Sequence, residues 1–447
     1  MLLIEKLPKK VGLVQVRRAL AERLGLAFED VYLTQYKDGI GVRLSKSVDH
    51  LIEEVTVNGK ILGIKSVDEK DFKRRQLFNQ VTPLWSLSYE EQLAFKQDSL
   101  QKLVNLPLDP VRAAPQPTGY RNKCEFTVGR NSEGVPTVGF LLGGFKDGLF
   151  EVADASECLH VHPQAKRIVS LFENYIRGES KLLPFDRKMR TGHWRLLLVR
   201  IHGDKSLVVV QTSKDNAERE QVKQVLSDVD SLYWQECDAL HHGLGNDFEL
   251  LHGTPWIEEK LKELTFRISP ASFFQVNTPG AVLLYDTIAE LAQSQSSSAL
   301  LDLCCGTGTI GLSLSKHFEQ VIGIECVKEA VEDARLNASL NNITNATFHA
   351  GRLEDKLHEV ISCIPSDKEI VVVLDPPRAG AHKSVIQTIL KHDRIKTLVY
   401  VSCSPEQASH NWKALELEFA LKRAIPVDMF PQTEHCELVL LFERKGK

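Results

Sequence analysis

At 447 residues the chain is long for one hydrophobic core, and about two to four domains are expected. Hydrophobic residues make up 43% and charged residues 26%, the balance of a folded, water-soluble protein, and no uninterrupted apolar run reaches the ~18 residues of a membrane span. The formal charge of -4 hides an asymmetry, because residues 1–130 carry 21 Lys and Arg against 16 Asp and Glu. A polyanion could meet this basic part of the chain, although a solvated charged surface accounts for the same counts.

The opening MLLIEKLPKK is broken by Glu5 and the lysines too early for a secretory signal, so an intracellular setting, cytoplasmic or nuclear, is expected. The nine cysteines, at 124, 158, 237, 304, 305, 326, 363, 403 and 436, include no C-x-x-C pair. That spacing points away from a zinc ribbon or an iron–sulfur cluster, and no metal is expected.

In chain order, residues 1–70 alternate short signals: LLIEKL as strand, Val11 to Leu24 as helix, VYLTQY and GIGVRL as strands, Val48 to Val55 as helix, KILGIKSV as strand. This β-α-β-β-α-β order resembles an RNA recognition motif. The stretches matching its central strands lack the aromatics on which bases stack, so protein docking or simple packing competes with RNA contact. Residues 71–109 read as a charged, helical connector. Residues 110–255 form a β-rich central domain, with strands at KCEFTVGR, VGFLLGG, RLLLVRIHG and SLVVVQTS and a helix from Pro163 to Ile176. Within it, Tyr120, Arg121 and Lys123, and the run Arg187, Lys188, Arg190, His193 and Arg195 beside Trp194, mix cations with aromatics. Such a mixture suits phosphate contact with base stacking, or equally a strand edge protected by charge.

Residues 256–447 alternate strands and helices as a doubly wound α/β domain does. A helix from Thr278 to Gln293 leads to strands at Ala299 to Leu303, Gln320 to Ile324, Ala346 to Ala350, Glu369 to Leu374 and Thr397 to Val401. Two last strands, ALKRAIPVDMF and CELVLLFERK, follow, and the final one is expected antiparallel to the fifth. ALLDLCCGTGTIG is the first strand turning through Gly306 and Gly308 into a helix near Thr309. It lacks the third glycine of a dinucleotide fingerprint, which favours S-adenosylmethionine over a pyrophosphate cofactor. Glu325, ending the second strand, can accept hydrogen bonds from a ribose diol, or complement the dipole of the helix behind it. Asp375 opens DPPRAG after the fourth strand. Cys403 in VYVSCSP ends the fifth beside the same crevice, where a thiolate could add to an electron-poor ring carbon. The antiparallel last strand would bring Glu437, with Glu434 or His435 as neighbours, to Cys403; surface charge is the preferred reading of Glu434.

SFFQVN, DLCCGTGTIGL, DPPRAG, SCSP and FPQTEHCE, in this order, resemble the RNA uracil-5-methyltransferase family. The resemblance implies a class I methyltransferase domain behind the β-rich and RNA-recognition-motif-like domains. Gln275, Glu325, Asp375 and the loop with Cys304, Gly306 and Thr309 would then hold S-adenosylmethionine. Bacterial relatives have an aromatic residue at the place of Cys304 and an asparagine at that of Thr309. Cys403 would be the nucleophile and Glu437 the proton acceptor. The mixture of cations and aromatics noted above makes Tyr120, Arg121, Lys123, Arg190 and Arg195 the candidates for RNA contact. The implied reaction is carbon-5 methylation of a flipped-out uridine in tRNA, at the T-loop, with other RNAs open as partners. An RNA cytosine-5-methyltransferase is the second reading, although that class has a cysteine where Arg378 stands. A non-catalytic RNA-binding or chaperone protein is the third.

Overall fold

The computed structural model describes residues 2–5, 11–35, 39–44, 52–66, 68–143, 150–213, 217–237, 247–292 and 298–446. No helix among them is long and apolar enough to cross a membrane.

The first residues form a five-stranded antiparallel sheet with helix Leu13–Leu24 against one face. The strands run in the order Val31–Gln35, Gly39–Leu44, Leu2–Glu5, Lys60–Ser66 and Glu54–Val57. One expectation fails here. Of the helix anticipated from Val48 to Val55, residues 48–51 lie outside the described residues, and from Glu54 the chain is a strand. Val55 and Val57 alternate inward while Asn58 and Gly59 take positive φ, so the segment is half of a tight hairpin paired with Lys60–Ser66.

The connector contains two helices, Glu69–Val81 and Tyr89–Gln101. Leu77 and Phe78 of the first enter the core of the central sheet. That sheet has seven strands, ordered Glu249–Gly253, Ser231–Glu236, Lys205–Thr212, Trp194–His202, Lys123–Arg130, Pro136–Leu142 and Glu151–Asp154. Helix Pro163–Gly178 buries Ile168, Val169, Phe172 and Ile176 against it. The proline-rich stretch after the connector is no free linker. Asp109 and Arg112 donate backbone hydrogen bonds to Ala424 and Pro426, at 3.0 and 2.8 Å, so it shields the edge strand Phe419–Val427.

The last sheet has strand order Ala346–Ala350, Gln320–Glu325, Ala299–Leu303, Ile370–Leu374, Ile395–Ser402, Glu437–Arg444 and Phe419–Val427. The first five are parallel, and Glu437–Arg444 lies antiparallel beside Ile395–Ser402, as expected from the usual topology of such a sheet. The central parallel strands Ala299–Leu303 and Ile370–Leu374 are buried along their whole length because both faces are covered, whereas the edge strand Ala346–Ala350 is mostly not. Helices Leu353–Cys363, Lys383–Lys391 and Pro405–Leu415 cover one face. On the other, Leu284 and Ile288 of helix Thr278–Leu291 join a core that continues into Leu196, Leu198 and Val209 of the central sheet. A hairpin absent from the sequence reading, Ile257–Leu261 with Leu264–Ile268, fills the junction.

Candidate active site

The site lies at the carboxyl ends of the parallel strands, where the sheet order reverses and an open α/β sheet leaves a crevice. Strand Ala299–Leu303 stops because Cys304, Gly306 and Gly308 all take positive φ, 66°, 53° and 80°. A Cβ on Gly308 would stand 3.0 Å from the Phe348 ring and 3.1 Å from the Ala334 methyl, so only glycine gives this close turn into helix Thr309–Leu314. Glu325 braces the loop from the next strand, accepting from the amides of Gly306 at 3.1 Å and Val327 at 2.9 Å. Its two oxygens retain lone pairs for further donors.

Beneath the loop, Asp302 is fully buried; one carboxylate oxygen accepts from the Gly311 amide at 2.8 Å and the other has no partner. Burial pushes its pKa up to about 7. The native protein therefore holds a proton there that the unfolded chain releases between about pH 4 and 7, and stability falls as pH rises through that window. Asp302→Asn keeps the acceptor for Gly311 without the titration. The stability gap between the variant and wild type should widen in favour of Asn by about 1 kcal/mol per pH unit from pH 4 to 7, then level off. Denaturant melts at pH 5 and 7.5 check this; a gap independent of pH would mean that the carboxyl is not protonated in the fold.

Asp375 follows strand Ile370–Leu374 and opens the two-proline loop; burial lifts its pKa to about 7 as well. Cys403 follows strand Ile395–Ser402, just before helix Pro405–Leu415. The antiparallel register sets Ser402 opposite Leu438, which brings Glu437 to the level of Cys403. The Cys403 thiol is pushed up to about 11, by burial first and then by the negative charge of Glu437 and Asp375, while Arg378 pulls it down. Glu437 is 3% exposed, and one of its carboxylate oxygens has no partner. Burial, with Asp375 as a like-charged neighbour, raises its pKa well above the carboxylate range.

The strap Ser269 to Asn277 closes one side. Asn277 caps helix Thr278–Leu291 through Gly280 and donates to the Met429 carbonyl at 2.9 Å. Asn122 of the central domain donates to the carbonyls of Val276 at 2.8 Å and Gln275 at 3.0 Å. Phe274 therefore turns into the core and Phe273, 68% exposed, stands in the cleft. The cleft measures about 1120 Å³, enough for a nucleoside cofactor and a base together. Gln275, Cys304, Gly306, Glu325, Asp375, Cys403, His435, Glu437 and Arg121 all line it. Its carboxylates include Glu329, Glu332 and Asp333, set against Arg121 and Arg378, so it suits a ligand carrying positive charge. Among the described residues no group of three or more metal-ligating side chains occurs.

Thr309 is not on the cleft wall. Its hydroxyl accepts from Tyr285 behind the loop, at 3.1 Å, and it is a brace for the turn. Two of the expected RNA contacts also change character. Tyr120 is 4% exposed and donates its hydroxyl to the Pro431 carbonyl at 2.9 Å, because it fills the seam between the domains. Arg195 is 2% exposed, its guanidinium 4.0 Å over the Phe185 ring and bonded to the Cys237 carbonyl. Arg195 is closed off from solvent, while Tyr120 adds only a small part of the wall to a minor cavity beside the cleft. Arg121 and Lys123 line a smaller cavity that opens beside the cleft, and Arg190 lies exposed on the turn after Asp186. Phe273, Arg378 and Asp333 were not singled out as site residues; for Phe273 the signal was present, since it sits two residues before Gln275.

The fold is that of the α/β methyltransferases: the chain superposes with a TM-score of 0.70, at 24% identity, on the crystal structure of Pyrococcus abyssi tRNA (uracil-54, C5)-methyltransferase in complex with S-adenosyl-L-homocysteine. The match covers 92% of this chain and 91% of the other. Residues 244–445 match the tRNA (Uracil-5-)-methyltransferase family. Mouse tRNA (uracil-5-)-methyltransferase homolog A is 39% identical over 426 residues, covering 83% of this chain and 69% of its own. The zebrafish homolog B is 37% identical over 417 residues, covering 83% and 87%. The chain belongs to the tRNA (uracil-5-)-methyltransferase family.

Proposed function

We propose that this protein methylates carbon 5 of a uridine in tRNA, at the T-loop, with S-adenosylmethionine as methyl donor. The observation that carries the reading is the pairing of Cys403 with the buried, partly unpartnered carboxylate of Glu437 across two antiparallel strands, at the wall of one cleft. In this reading Glu325 accepts from the ribose and Gln275 and Asp375 hold the remainder of the cofactor; the support is that all three line the cleft, whose acidic lining matches the cofactor's positive charge. When bound, S-adenosylmethionine supplies an electrophilic methyl group.

Uracil by itself is a poor carbon nucleophile. The uridine is turned out of its stack to reach the cleft. The Cys403 thiolate adds to carbon 6, forming a C–S bond and pushing the ring electrons toward carbon 5 and its carbonyl, and carbon 5 is then alkylated. Glu437 takes the proton from carbon 5, the C–S bond breaks, and 5-methyluridine leaves with the thiolate restored. A carboxyl with raised pKa is a stronger proton acceptor once ionised, and a cationic donor beside Asp375 favours that ionised form. Arg378 is the cation that favours the thiolate.

RNA would enter past Arg121 and Lys123, with Arg190 on an outer turn. Residues 1–70, 71–109, 110–255 and 256–447 then divide the work as an accessory domain, a connector, an RNA-binding domain and a catalytic domain. A tRNA carrying 5-fluorouridine tests the mechanism, because fluorine cannot leave carbon 5 as a proton does. Incubation with S-adenosylmethionine should give a protein–RNA band on a denaturing gel that Cys403→Ala does not form. Release of free RNA without such a band would contradict the addition step.

A further inference from the structure

Helix Tyr89–Gln101 precedes the central domain and lies outside the residues matched by the family, yet it reaches the catalytic strands. Tyr89, Gln92 and Lys96 are spaced three and four residues apart and share one face. Lys96 and Asp428 form an ion pair at 2.6 Å with both side chains fully buried. Lys96 also donates to the Phe430 carbonyl at 3.0 Å, and the Tyr89 hydroxyl donates to the second oxygen of Asp428 at 3.0 Å. Gln92 is bonded twice to Gln432: its amide nitrogen donates to the Gln432 side chain at 3.0 Å, and its oxygen accepts from the Gln432 backbone at 2.8 Å. Gln432 itself takes a φ of 70°, a backbone conformation that needs outside support.

All three side chains thus grip one turn, Asp428 to Cys436, from which Phe430, Thr433 and His435 face the cleft and which leads directly into Glu437, the first residue of the last strand. A fully buried ion pair is a weak source of stability compared with apolar residues of the same volume, so its presence calls for a role in fixing geometry. We infer that Lys96, with Tyr89 and Gln92, is a positioning residue that sets the Glu437 carboxylate for proton removal at carbon 5, so the connector helix is part of the active site. The inference rests on the role given to Glu437 above.

Lys96→Met strands the Asp428 charge and is a severe test of folding; Lys96→Met/Asp428→Asn removes both charges and keeps the volume. The full-length double variant should bind S-adenosylmethionine within about twofold of wild type. Its turnover on tRNA should fall at least about tenfold, and it should accumulate the methylated protein–RNA adduct on a denaturing gel, as Glu437→Gln is expected to. Loss of activity in proportion to loss of folded protein, with no adduct, would reduce the helix to a structural prop. Wild-type turnover would overturn the inference outright. If Glu437→Gln itself accumulates no adduct, the role of Glu437 fails first; if it does while the double variant does not, only the positioning role fails.

Discussion

Cys403→Ala should abolish methyl transfer to tRNA while leaving S-adenosylmethionine affinity within about twofold of wild type. The thiol stands on the cleft wall after strand Ile395–Ser402, whereas the cofactor loop is built from Cys304, Gly306, Gly308 and Glu325, so the substitution removes the nucleophile without touching the turn that binds. Loss of a nucleophile on which the whole reaction depends is expected to cost roughly 10⁴-fold or more in turnover. Cys403→Ser should rescue little, because an alkoxide is much harder to generate than a thiolate. The thiol is neutral at pH 7 in the free site, since burial and the neighbouring carboxylates push it up to about 11. The pH profile of Arg378→Ala should therefore shift to higher pH, the guanidinium that favours the thiolate being lost. Single-turnover assays with calorimetric binding check the cysteine; near-normal turnover in Cys403→Ala would remove it as nucleophile.

Glu437→Gln should separate the two halves of the reaction. The amide has the size of the carboxyl and cannot accept the carbon-5 proton, so the protein should methylate once and then hold the RNA. Steady-state turnover is expected to fall by about 10²–10⁴-fold, the range of a general base, while up to one methyl group per protein becomes fixed in a denaturation-resistant adduct. Retained turnover with no adduct would assign the proton to another acceptor.

The catalytic domain was legible in the sequence because its central parallel strands, such as Ile370–Leu374, are largely apolar runs that break at the glycine loop or the two prolines; Ala299–Leu303 and the more polar edge strand Ala346–Ala350 fall at the expected residues. The level of Cys403 with Glu437 followed from one topological rule, the antiparallel last strand, now seen as the Ser402–Leu438 register. Legibility failed where tertiary contact decides. Glu54 and Val55 read as the end of a helix until Asn58 and Gly59 are recognised as a hairpin turn. Tyr120 and Arg195 look like surface recognition residues, but their polar ends reach carbonyls more than 40 residues away in the chain, a pairing no local pattern reports. Lys96 is the sharpest case. A lysine in a charged helix reads as solvated, and only its partner, 332 residues on, shows it to be buried.

The central claim is the identity of the product. Unmodified tRNA, incubated with the protein and methyl-labelled S-adenosylmethionine, digested to nucleosides and resolved by chromatography and mass spectrometry, should carry its label in 5-methyluridine from the T-loop. Label in 5-methylcytidine, or none at all with folded, cofactor-binding protein, would contradict the account.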